Sequence, residues 1–158
     1  MRAIVVIAAG LAVGACARAE AIRTSGNTMV VQARAAPACG PDGAARVAVA
    51  TVAVETLRAG YDRYVINGGQ AGSNVQVHQM PGHVQHSGTL TYGRGSGFYS
   101  GTSTYVPGPT IVTGGHNQNL AITMFRVGEP GAENAIDAKQ ILGPEWADKV
   151  RNGIGTCL

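Results

Sequence analysis

Charge is scarce in this sequence of 158 residues: Asp, Glu, Lys and Arg together supply 13% of it. The positive groups are mostly arginines scattered singly, as at Arg34, Arg46, Arg58, Arg63, Arg94 and Arg126, so there is no basic stripe to track a nucleic acid, and no nucleic acid partner is expected. The small net positive charge leaves acidic lipid or glycan partners open. The apolar run near the start, residues 3–13, is too short for a permanent membrane-spanning helix. No C-x-x-C pair occurs among Cys16, Cys39 and Cys157, which argues against a redox dithiol. No serine sits in G-x-S-x-G and no lysine in a phosphate-loop motif, so the common nucleophile and nucleotide chemistries have no foothold. These absences point away from an enzyme: no catalytic residue is assigned, and no cofactor is expected apart from one metal alternative.

What is present begins with an export signal. Met1 and Arg2 give a short positive start, followed by the apolar stretch, the anatomy of a segment that is removed. Two cleavage sites compete after it. Val13, Gly14, Ala15 and Cys16 fit a lipobox, in which Cys16 would carry a diacylglycerol on its thiol and a palmitate-type chain on its new amino group. Ala17, Arg18 and Ala19 fit an A-x-A site, which would release a soluble periplasmic protein beginning at Glu20. Each buried lipid methylene adds about 0.8 kcal/mol, so several chains on one cysteine make attachment effectively permanent. Over Val13 to Cys16 the chain resembles bacterial lipoproteins. In that class an alanine after the lipidated cysteine, as Ala17 is here, implies the outer membrane, facing the periplasm. The expected organisation is a lipoprotein-type signal peptide over 1–15, an anchor and linker over 16–26, and one folded domain over 27–158.

Cys39 and Cys157 remain whichever site is used. An even pair in an oxidising compartment predicts a disulfide, which would tie the loop before the first long helix to the C-terminus.

The domain reads as α+β, in the order β-α-β-β, a Gly/Tyr-rich hairpin insert, then β-α-α. Residues 27–35, "NTMVVQARA", have the β-branched centre of a strand. Residues 43–59 read as a helix, with Val47, Ala50, Val54 and Leu57 on one stripe and Gly60 at its end. "YDRYVIN" gives a strand, "GGQAGS" a turn and "NVQVHQM" another strand. Residues 81–118 are rich in Gly, Ser, Thr and Tyr and poor in aliphatic residues, which suits either a disordered loop or a partly ordered hairpin with arms at 89–92 and 102–106. Its Tyr92, Phe98, Tyr99 and Tyr105 are candidates for a partner-binding surface. "NLAITMFRV" restores a strand through Leu120, Ile122 and Met124. Residues 133–142 predict a helix ended by Gly143, and Pro144 opens a second, with Trp146 and Val150 facing inward.

Among chemistry-bearing groups, His78, Met80, His83, His86 and His116 include the ligand types of copper or zinc. They form the metal alternative, set against polar histidines around a solvated loop. "GRGSGF" has Phe98 where a dinucleotide loop needs its third glycine, and "NGGQAG" leads to a strand, not a phosphate-binding helix start. Asp62 is read as opening a strand beside Arg63. Glu133 and Asp137 are read as first-turn helix acids, with Glu129 nearby.

The Ala-rich helix ending in "TLRAGYDRYVI", around Ala44 to Ile66, resembles the compact α/β domains of small envelope lipoproteins such as the Rcs stress-sensor family. There too a helix ends in a glycine just before a strand. The "LGPEW" and "GTC" ending resembles small lipoproteins of proteobacteria. The expected role is that of a non-enzymatic envelope protein that binds or senses a periplasmic protein or glycan partner, through the Gly/Tyr-rich loop.

Overall fold

The computed structural model describes residues 16–157, so the expected signal over 1–15 lies outside the described residues. In chain order come β1 (Ala17–Arg23), β2 (Thr28–Ala35), a 3-10 turn (Pro37–Cys39), α1 (Gly40–Arg58), β3 (Arg63–Ser73), β4 (Gln76–Gln79), β5 (His83–Gly93) and β6 (Ser96–Val106). Then follow β7 (Thr110–Thr113), β8 (His116–Phe125), β9 (Ile136–Asp137), α2 (Ala138–Leu142) and α3 (Trp146–Asn152). The fold is α+β, as the sequence predicts. It divides into a body, which pauses at Ser73 and resumes at Gly115, and an excursion, Asn74–Gly114.

The body is an antiparallel sheet of order β1-β2-β8-β3-β9. Alternation buries Met29, Val31, Ala33 and Ala35 on β2 and Leu120, Ile122 and Met124 on β8. A period of two puts each set on one face, and α1 packs there. Pro41 and Asp42 suit the first turn of α1 and Arg58 its last. Gly60, at φ +81°, closes it as expected, its N–H donating to the Leu57 carbonyl at 3.1 Å. Val47, Ala48, Val52, Ala53 and Val54 are all buried, a wider arc than one stripe, because α2 and α3 pack on α1 as well as the sheet.

Several expectations are corrected. Residues 17–23, expected in a linker, form the edge strand β1, with Ala17 buried and paired with Ala35. Alternating alanines and charges supply a half-buried strand of minimal bulk. The expected turn "GGQAGS" instead continues β3 to Ser73, past a bulge between Ile66 and Gly68. Gly69 serves close packing, since a β-carbon there would lie 3.0 Å from Leu120 Cδ2. The strand from "NVQVHQM" does not join the body sheet. Instead β8 arrives from far along the chain and lies between β2 and β3. Finally, residues 133–142 are not one helix, because β9 pairs Ile136 and Asp137 with Tyr64 and Arg63 before α2 begins. Pro144 likewise precedes α3 by two residues, with Glu145 as its cap.

Asp137 starts α2. Its Oδ1 accepts from Lys139 N at 2.9 Å and Gln140 N at 3.1 Å. Asp137→Ala is expected to cost about 1 kcal/mol in urea unfolding, with Asp137→Asn retaining most of the stability. An unchanged midpoint for the alanine variant would show that the cap contributes nothing.

Within the excursion β4 pairs with β7 and β5 with β6. Gln79 faces Thr110 and His83 faces Val106, so both ladders keep one offset across Pro81-Gly82 on one strand and Pro107-Gly108-Pro109 on the other. Proline has no N–H to give a ladder, and both strands break at the same level. The insert spans 74–114, not 81–118, since residues 116–118 belong to β8. A hairpin is present, with a different register from that expected. Thr89 faces Ser100, and 102–106 lies opposite 83–87. The reason is the tip: Gly93 pairs with Ser96, leaving Arg94 and Gly95 as a two-residue loop, with Gly95 at φ +92°, a conformation that favours glycine.

Candidate functional site

Residue parity sorts the side chains of β5 and β6. Directly opposed residues share a face and successive ones alternate, and Leu90 opposes Tyr99 while Val84 opposes Tyr105. One face therefore carries Val84, Leu90, Tyr92, Tyr99 and Tyr105. The other carries Gln85, Ser87, Thr89, Ser100, Thr102 and Thr104. Of the four predicted contact residues, Tyr92, Tyr99 and Tyr105 come together on one face. Phe98 falls on the polar face, one residue out of phase. Val84 and Leu90 were missed as members of the apolar face; their odd or even position identifies them only once the tip fixes the register.

Glycines let the rings lie down along the ladder. Tyr99 crosses the opposed pair Gly88 and Gly101, and Tyr105 lies over Gly82, where any β-carbon would collide with the ring. Even so, Tyr92 is 79% exposed and Tyr105 63%, because β5 and β6 form a sheet of only two strands. From Asn74 to Gly114 the sole Asp, Glu, Lys or Arg is Arg94, at the tip. The one polar pair on the apolar face is bonded to itself, His86 Nδ1 to Ser103 Oγ at 2.7 Å.

Among the described residues no three His, Cys, Asp or Glu side chains are grouped to hold a metal ion. His83 and His86 are three apart on β5 and so point to opposite faces. His78 is on β4, 3.3 Å from Gln76 Oε1, and His116 is on β8 of the body.

The disulfide between Cys39 and Cys157 is present, with Cα atoms 5.7 Å apart. Cys16 is exposed, immediately before β1. Its carbonyl accepts from Ala36 N at 2.8 Å and lies 3.4 Å from Cys39 Sγ. The lipidation candidate thus sits at the disulfide corner.

The acids have local structural work. Asp62 accepts from Val127 N at 3.3 Å, and Glu129 accepts from Arg126 N at 2.9 Å, while Asp137 caps α2. Burial pushes the Tyr64 phenol up to about 12, but it lies in the core and faces no cavity chemistry. A groove of about 430 Å³ between α1 and the C-terminal segment is lined by Val49, Ala50, Ile141 and Ile154, with Arg46 and Lys149 at its sides. It offers no acid–base pair. No family model matches the chain, and no curated protein or solved structure matches it.

Proposed function

We propose that this is an exported, non-enzymatic envelope protein, held to the outer membrane through acylated Cys16, with residues 74–114 as its binding element. The observation that carries the reading is the exposed hairpin of β5 and β6, apolar on one face and free of charge along both strands. Such a surface recognises its partner by shape and apolar contact, not by ionic attraction. The lipobox is supported by β1. Cleavage before Cys16 keeps the whole strand, whereas cleavage after Ala19 removes buried Ala17 and its pairing with Ala35. The likeness of residues around Ala44 to Ile66 to envelope stress-sensor lipoproteins fits the same placement.

The test is an intact mass of the mature chain from membrane and soluble fractions of an expressing bacterium, followed by photo-crosslinking from position 99 or 100. The expected result is a membrane-bound chain beginning at Cys16 with acyl mass and one disulfide, giving adducts from position 99 and none from 100. A soluble chain beginning at Glu20, or equal crosslinking from both positions, overturns the reading.

A further inference from the structure

The hairpin of β5 and β6 has the dimensions and pattern of a strand pair made for hydrocarbon. Each strand has 11 residues, and a transmembrane β-strand needs about 9–11. Side chains alternate, with Val84, Leu90 and three tyrosines on one side beside the self-bonded pair His86 and Ser103, and mostly Ser, Thr and Gln on the other, where Phe98 and Val106 are the apolar exceptions. That is the pattern of a barrel wall between lipid and a water-filled lumen. Neither strand contains Asp, Glu, Lys or Arg. A hairpin exposed to water would ordinarily use such residues, lysine above all, to protect its edges.

Three further details agree. Tyr92 lies beside the tip and Tyr105 near the base, its partner Val84 being eight residues from Tyr92 on β5. That is about 26 Å at roughly 3.3 Å per residue, of the same order as the ~25 Å apolar band that aromatic girdles flank. The single charge, Arg94, is on the tip, where it would emerge beyond the far interface. The two ladders break together at Pro81-Gly82 and Pro107-Gly108-Pro109. Irregular backbone cannot face hydrocarbon, so this break marks the near end of the span.

A lone hairpin cannot enter a bilayer, because β5 and β6 pair only with each other among the described residues and their outer N–H and C=O groups would be stranded in lipid. Closure removes those edges. We infer that residues 83–106 span the membrane and pair, edge to edge, with the same hairpin of further copies of this chain to close an oligomeric β-barrel. The Tyr/Leu/Val face meets lipid, and the Ser/Thr/Gln face lines an aqueous lumen. This inference rests on the envelope-protein reading and names the neighbours of its binding element. No helix among the described residues is long and apolar enough to cross a membrane.

The test uses the full chain from residue 16 with Cys16→Ser, so that no acyl chain contributes, added to calcein-loaded vesicles of phosphatidylethanolamine and phosphatidylglycerol. The starting protein is expected to release dye and to form oligomers that survive mild detergent. Leu90→Lys, on the lipid face, is expected to reduce release at least tenfold. Thr89→Lys, one residue away on the lumen face, is expected to leave release within twofold and to shift planar-bilayer selectivity toward anions. Circular dichroism melts of both variants should match the starting protein, since the body is untouched. Absence of release, oligomers that stay in solution, or equal effects of the two lysines overturns the barrel. If the native chain is nevertheless membrane-bound through Cys16, the envelope reading survives that outcome. A native chain that is soluble and begins at Glu20 sinks the reading itself.

Discussion

Replacing Cys39 and Cys157 together by serine is expected to cost about 4–5 kcal/mol of folding stability, the chain-entropy value for a loop of this size. The bridge spans 118 residues of sequence, so it restrains nearly the whole unfolded body. It also braces a terminal helix that packs only half-buried on the body. No residue of α3 is fully buried; Trp146 and Val150 pack half-buried on the core, and its hydrogen bonds to the rest include Arg58 Nε donating to the Val150 carbonyl and Lys149 Nζ donating to the Leu142 carbonyl, both at 2.8 Å. The bridge packs closely on the start of α1, where a β-carbon at Gly43 would lie 3.0 Å from Cys39 Cβ and 3.4 Å from Cys157 Cβ. Urea unfolding of the double variant should match that of reduced wild-type protein. A loss below about 1 kcal/mol would show that the C-terminal segment is held without the bridge, far less than the model for such a loop requires.

Tyr64 carries the second large effect. Among the described residues it is the largest fully buried side chain, set between Met124 of β8 and Ile136 of β9. Tyr64→Ala should cost about 3–5 kcal/mol through lost burial and a cavity. Tyr64→Phe should do the reverse. The phenol oxygen has no hydrogen-bond partner among the described residues, so deleting it removes an unmet desolvation cost and should stabilise by about 1 kcal/mol. The same burial sets a pH dependence. The folded protein holds the Tyr64 proton up to about 12 against an ordinary 10.0, so above pH 10 the unfolded chain binds fewer protons than the folded one. Stability is complete below pH 10 and falls as pH rises toward 12, by about 3 kcal/mol at the top of the window. The phenylalanine variant should lack that slope. A phenylalanine variant that is less stable than wild type would reveal a partner for the phenol.

Much of the body was legible because its signals are local. The β-branched centre of β2, the alternation through Leu120, Ile122 and Met124, and Gly60 at the end of α1 each follow from a few neighbouring residues. The Cys39–Cys157 bridge followed from counting. β1 was hidden because alanines at 17, 19 and 21 look like the tail of a leader until β2 is there to pair with them. The helix over 133–142 failed because Ile136 and Asp137 answer to Tyr64 and Arg63, a tertiary preference that helical spacing cannot show. For the hairpin, composition picked out the aromatic residues, but only the loop at Arg94-Gly95 fixes which side each occupies. One residue of register decides whether Phe98 joins the tyrosines or opposes them.

The position of Cys16 sets how far an anchored body can travel. A flexible leash of n residues lets a domain roam roughly 5–6 Å × √n from its attachment. Here Ala17 is already hydrogen-bonded sheet, and the Cys16 carbonyl is itself held by Ala36. For a chain acylated at Cys16 the leash has no slack. The body of such an acylated chain would ride on the lipid headgroups with its disulfide corner lowest, exploring two dimensions and not three. Whatever it met would already have to be in the membrane or come down to its surface.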